Sequence, residues 1–168
     1  MATPTYTLIS SVTLTSSASS VTFSSIAAGG DLAIHINANS TDNGGDAIKM
    51  QFNSDTAYQN YQNVFMESNG SAANGNIWAT DGIANSYNYV HFSGATLRGA
   101  IVWNIARFSE TNKHKSTIAQ SGRASSALSI AVGKWANTAA ITTIKFVYGN
   151  PAASFGVGST FFLYRIEK

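Results

Sequence analysis

The residues best suited to chemistry in this chain are few and scattered. His35, His91 and His114 are the only histidines, and no two have the close spacing of a local metal motif. Cysteine is absent, which removes thiolate metal sites and disulfides and leaves the redox compartment open. The run Asp42-Asn43-Gly44-Gly45-Asp46 carries oxygen ligands on a glycine-rich segment, the kind of loop that can hold calcium. It lacks the EF-hand spacing and its closing Glu, and reads instead as a loop in which Asn and Gly supply positive φ. Serine is abundant, yet no Gly-x-Ser-x-Gly elbow occurs, nor any phosphate- or dinucleotide-binding glycine motif. The eight acidic residues are mostly isolated in turn-like segments. A glycosidase pair is defined in space and would show only as two carboxylates facing each other across a cleft. The expectation is a protein that is not an enzyme, with no metal and no cofactor.

Two groups of residues point to contact rather than turnover. Residues 1–97 hold six acidic side chains against Lys49 alone, a net charge of −5, and residues 98–168 carry +7. The basic share gathers at Arg98, Arg107, Lys113, Lys115 and Arg123, which suits a polar contact with an acidic neighbour, including another copy's acidic half. Five basic residues spread over this stretch fall short of a nucleic-acid groove. Trp78, Tyr87 and Tyr89 form the second group. They fall in an irregular middle region, where loops at one end of a sandwich would gather, and such rings can stack on sugars or pack in a core.

The elements that must position these residues are strands. Apolar and polar residues alternate with period two in Tyr6–Leu14, and Leu32, Ile34 and Ile36 alternate with Ala33, His35 and Asn37. Ile48, Met50 and Phe52 oppose Lys49 and Gln51, and a Tyr-rich strand runs from about Tyr58 to Met66. Further strands are read at Ile77–Ala79, Tyr87–Phe92 and Arg98–Ala106, the last buried around Ile101, Val102 and Trp103. Lys113–Gln120 is a polar strand that pairs with it across the Phe108–Asn112 loop. Ala127–Trp135 follows, with Leu128, Ile130 and Val132 expected to point inward, and Ile144–Tyr148 and Phe161–Ile166 close the chain. Short helical turns are expected at Ala27–Gly30 and Ala136–Ala140. The sum is an all-β fold in one domain over residues 1–168, an antiparallel β-sandwich of jelly-roll type with about nine to eleven short strands.

Composition agrees. Only 11% of residues are charged, against roughly 25% in an ordinary domain, and Ser, Thr, Asn, Gly and Ala fill the difference. A hydrophobic share of 44% and an aromatic share of 11% argue against disorder. The opening residues have no basic region followed by an apolar run, and no stretch approaches the ~18 apolar residues that cross a bilayer, so neither a secretory signal nor a membrane partner is expected.

The two ends of the chain carry a family resemblance. The opening Tyr6-Thr7-Leu8-Ile9-Ser10-Ser11-Val12-Thr13-Leu14 is followed by Val21-Thr22-Phe23-Ser24-Ser25-Ile26. The close is Asn137-Thr138-Ala139-Ala140-Ile141-Thr142-Thr143-Ile144, then Gly158-Ser159-Thr160-Phe161-Phe162-Leu163-Tyr164. This pairing resembles small virion-associated proteins of tailed bacteriophages, of the marine and cyanobacterial type. The middle is similar in layout, with Phe52-Asn53-Ser54-Asp55 before the Tyr-rich strand. The resemblance implies a structural protein on the particle surface, made in the host cytoplasm. It would be a capsid decoration (cement) protein, a homo-oligomer bound to the major capsid protein, or a tail- or fibre-associated glycan-binding module. The family has no catalytic motif to carry over. The basic stretch Arg98–Arg123 departs from its pattern.

Overall fold

A computed structural model describes residues 5–41, 47–68, 70–86, 98–123 and 127–167. Among these residues twelve strands form two antiparallel sheets. In chain order they are β1 (Tyr6–Thr13), β2 (Ser20–Phe23), β3 (Asp31–Ala38), β4 (Ile48–Phe52), β5 (Tyr61–Ser68), β6 (Ala73–Trp78), β7 (Ile83–Ala84), β8 (Gly99–Ala106), β9 (Lys115–Arg123), β10 (Leu128–Trp135), β11 (Ile144–Tyr148) and β12 (Thr160–Ile166). The larger sheet has the order β1-β12-β3-β8-β9-β10-β5-β6, and the smaller has β2-β11-β4-β7. The chain is therefore an all-β sandwich with jelly-roll-like crossings between sheets. Among the described residues no helix is long and apolar enough to cross a membrane.

The period-two pattern decides what lies between the sheets. From the larger sheet Ile34, Ile101, Trp103, Phe65, Trp135, Phe161 and Leu163 point inward, and from the smaller Phe23, Met50, Phe52, Ile144 and Phe146 meet them. Aromatic rings fill the middle, with Phe52, Tyr61 and Trp135 within 5.4–6.5 Å of one another by ring centroid. The hairpin expected between the strand after Arg98 and the polar strand after Lys113 is present as β8–β9, in continuous register from Gly99↔Arg123 to Ala106↔Ser116.

Several local expectations are corrected. The segments Ala27–Gly30 and Ala136–Ala140 are bends and extended chain, and among the described residues the one short helical turn is Tyr58–Asn60, at the start of the stretch read as strand. The polar run Ala73–Asn76 is the first part of β6, because its backbone pairs with Phe65–Ser68 whatever its side chains prefer. The two-residue β7 carries too little sequence to show a period. In β1 the alternation breaks at a bulge between Leu8 and Ser10. Tyr6 and Leu8 lie on the exposed side, while Val12 and Leu14 pack against the core. The strand read at Tyr87–Phe92 and the Asp42–Asp46 loop lie outside the described residues.

The most consequential correction concerns β10. Leu128, Ile130 and Val132 face outward, and Ser129, Ala131, Gly133 and Trp135 face inward. The first three inward residues are small because β7 packs hard against this strand. A Cβ on Gly133 would lie 2.6 Å from Cγ2 of Ile83 and 2.9 Å from Oγ1 of Thr117. Trp135 then anchors the strand end in the core, and a one-residue slip would drive it into water.

Candidate functional site

Once β10 is placed this way, the outer face of the larger sheet becomes an unusual surface. Val64, Met66, Ile77, Ile118, Leu128, Ile130 and Val132 expose between 43% and 81% of their surface, on one contiguous area of β9, β10, β5 and β6. Strand register sorts this face into rows running across the strands. The first row is Asn104, Ile118, Val132, Val64 and Ile77, dominated by bulky β-branched side chains. The second is Val102, Gln120, Ile130, Met66 and Gly75. The third is Ala100, Gly122, Leu128, Ser68 and Ala73, where four of the five residues are small. The face is therefore a ridge beside a trough. The trough is an open groove of about 730 Å³ whose lining includes Met66, Ala73, Ala100, Gly122 and Leu128.

The other end of the same face is aromatic. Tyr164 packs on Tyr6 at 6.3 Å, on Phe162 at 6.3 Å and on His35 at 5.1 Å. His35 lies on the exposed face of its strand, as its alternation predicts.

The outer face of the smaller sheet is polar. Lys49 and Gln51 of β4 are covered by the segment around Asp81, whose carboxylate accepts hydrogen bonds from both. Burial pushes the Asp81 carboxyl up, but the bond and charge of Lys49 and the hydroxyl of Thr80 hold it below the usual carboxylate range. A cleft of about 480 Å³ beside this ion pair is lined by Ser20, Lys145 and Tyr148 among others. Among the described residues no three His, Asp or Glu side chains come together to hold a metal ion.

The basic residues that cluster in sequence are separated in space. The β8–β9 hairpin puts Arg98 and Arg123 at one end and Arg107, Lys113 and Lys115 at the other, about 25 Å away at ~3.4 Å per residue. Arg98 ties down the loop before β12, donating to the carbonyls of Gly158 (2.7 Å) and Val157 (3.3 Å). Arg107 and Lys113 are exposed and flank Glu110 at 3.7 and 3.1 Å. Arg123 is half-buried, its backbone N–H donating to Ala127 O. Lys115 is only 1% exposed. Its ammonium donates to the carbonyls of Glu110, Lys113 and Thr138 at 2.6–3.1 Å, which makes it an internal strut with no surface to give a partner. Burial pushes its pKa down, against the opposing pull of Glu110.

Trp78 ends β6 half-buried against the core, and its carbonyl accepts from Asn63. Tyr87 and Tyr89 lie outside the described residues, as does His91. What sequence reasoning missed is the ridge and trough themselves: the signal was present as alternation in β5 and β10, but it was assigned to the wrong face in β10. It also missed the buried amides. Asn85 accepts from Ile48 N at 2.7 Å while its own carbonyl receives Ser129 Oγ at 3.0 Å, and Asn63 accepts from Ala84 N at 3.1 Å. These bonds tie β7, the edge of the smaller sheet, to β5 and β10 of the larger one.

No family model and no curated protein matches the sequence. Among solved structures, the chain is similar to the alginate lyase Aly36B, with 12% identity, a TM-score of 0.36, and coverage of 94% of this chain and 81% of that one. A mutant of that lyase in complex with alginate trisaccharide gives 8% identity and a TM-score of 0.33, covering 94% and 80% of the two chains. A human SPRY domain gives 6% identity and a TM-score of 0.21, covering 85% and 90%. At these scores the likenesses carry no argument about activity or ligand.

Proposed function

We propose that the chain is a non-catalytic structural protein of a tailed-phage particle, a capsid decoration protein that binds and stabilises the lattice of the major capsid protein. The observation that carries this reading is the aliphatic ridge and trough on the outer face of the larger sheet, a surface for the subunit association that a component of an ordered shell needs. The chain fills its own core with aromatic and branched residues, so a second contiguous apolar area is left over for association. The sequence resemblance of the two chain ends supplies the particle as the setting. A body without cysteine and with few charges suits a shell component, since low charge gives little protection against association. Arg107 and Lys113, exposed at one end of the β8–β9 hairpin, are the basic residues best placed to meet an acidic patch on the lattice.

The test is direct. Purified protein added to undecorated particles should bind at a fixed copy number and raise their resistance to heat, with the copy number read by electron microscopy. Absence of binding overturns the decoration reading. The alternative, a tail- or fibre-associated module that stacks glycans, rests on Trp78, Tyr87 and Tyr89. A glycan array comparing the parent with Trp78→Ala decides it: equal binding by both removes the stacking role.

A further inference from the structure

We propose that a second copy of this chain packs face to face on the larger sheet, about a two-fold axis running across the strands along the middle row of Gln120, Ile130 and Met66. This deepens the decoration reading by naming the first partner of the same surface.

Shape selects the axis. A two-fold axis along that row inverts the strand direction and leaves each strand opposite its own copy. The bulky row of one chain then falls on the small row of the other, except on β10, where Val132 meets the partner copy's Leu128. Val64 meets the partner copy's position 68, a serine, and Ile77 meets position 73, an alanine. Ile118 meets glycine at position 122. An axis along the strands instead sets ridge against ridge and trough against trough, leaving the groove of about 730 Å³ unfilled. The first arrangement sends bulky side chains of the partner copy into it, as facing sheets do when they pack at about 10 Å.

Area and charge agree with shape. The seven exposed aliphatic side chains present on the order of 700 Å² per copy, close to the ~800 Å² per partner of a standard interface. The three rows contain no charged residue, and Glu67, which lines the groove, is turned inward and 3% exposed, so the face complements another uncharged apolar face better than a charged one. Lys134, next along β10 and exposed, lies outside the three rows. The two-fold contact leaves the smaller sheet and the Arg107–Lys113 end of the hairpin for the particle lattice.

Sedimentation of the full chain tests this without any particle. The parent is expected to run as a dimer. Ile130→Lys puts a charge on the axis facing its own copy and should weaken the dimer about 100-fold or more. Ala73→Leu, at an exposed position, fills the trough and should also favour the monomer, while the exchange of Ile77→Ala with Ala73→Ile restores the pair in reverse and should recover the dimer. All these residues are solvent-facing, and a far-UV spectrum and a melt confirm that each variant is folded. A monomeric parent, a three-fold assembly, or a dimer indifferent to both Ile130→Lys and Ala73→Leu overturns the proposal. Particle binding is read separately. A monomer that still coats capsids sinks the two-fold contact alone, and a dimer that ignores capsids sinks the decoration reading alone.

Discussion

The carboxylate of Asp55 gathers three donors where β4 turns into β5. It accepts from the indole N–H of Trp135 at 2.7 Å, the amide of Asn60 at 2.8 Å and the backbone N–H of Ala57 at 2.9 Å. Partial burial pushes this carboxyl up, but the three hydrogen bonds outweigh that and hold it below the usual range. Asp55→Ala removes all three. The indole is 1% exposed and would keep an unpaired N–H, costing about 1–3 kcal/mol, while Asn60 and Ala57 sit near enough to water to recover part of their loss. The sum is about 3 kcal/mol, or a fall in Tm of roughly 6–12 °C for a chain of this length. Urea melts of Asp55→Ala, Trp135→Phe and the double variant should give a coupling energy of at least about 1 kcal/mol. The pH dependence has a definite sign. Because the folded pKa lies below the unfolded one, the contribution is present above the ordinary carboxylate pKa and is lost as pH falls through the folded value. The gap between parent and Asp55→Ala should therefore be full at neutral pH and shrink below about pH 4. A cost under about 0.5 kcal/mol, or a gap that does not change between neutral and acid pH, would refute the reasoning.

Two further substitutions probe the interior. Lys115→Ala leaves three carbonyls without their shared donor and should lower stability by about 2–4 kcal/mol in a urea melt. Because Lys115 has no exposed surface, a folded Lys115→Ala should bind particles like the parent, whereas loss of binding at full stability would restore it as a contact residue. Gly133→Ala forces a Cβ into Ile83 and should cost about 1–3 kcal/mol, and Ile83→Ala in the same chain should recover part of it. Strictly additive costs in that pair would show that β7 does not pack as described.

Alternation along the chain was enough to establish the fold class, because a period of two places every second side chain on one face whatever the partner strands are. Ile34 and Ile36 in β3, Met50 and Phe52 in β4 and Phe161 and Leu163 in β12 are buried as that period requires. The same period could not say which of two alternating sets goes inside when both are plausible. In β10 one set is Leu128, Ile130 and Val132, and the other is Ser129, Ala131, Gly133 and Trp135. Hydrophobicity favours burying the first. Tertiary packing buries the second, because β7 comes too close for a larger side chain at position 133 and Trp135 completes the ring cluster with Phe52 and Tyr61. Likewise the basic residues between Arg98 and Arg123 are near in sequence, and only the hairpin decides that they part to opposite ends. Local patterning is a property of one strand, but the choice of face belongs to the neighbours that press on it. That choice is what turns an apparent core strand into the surface this protein has to offer.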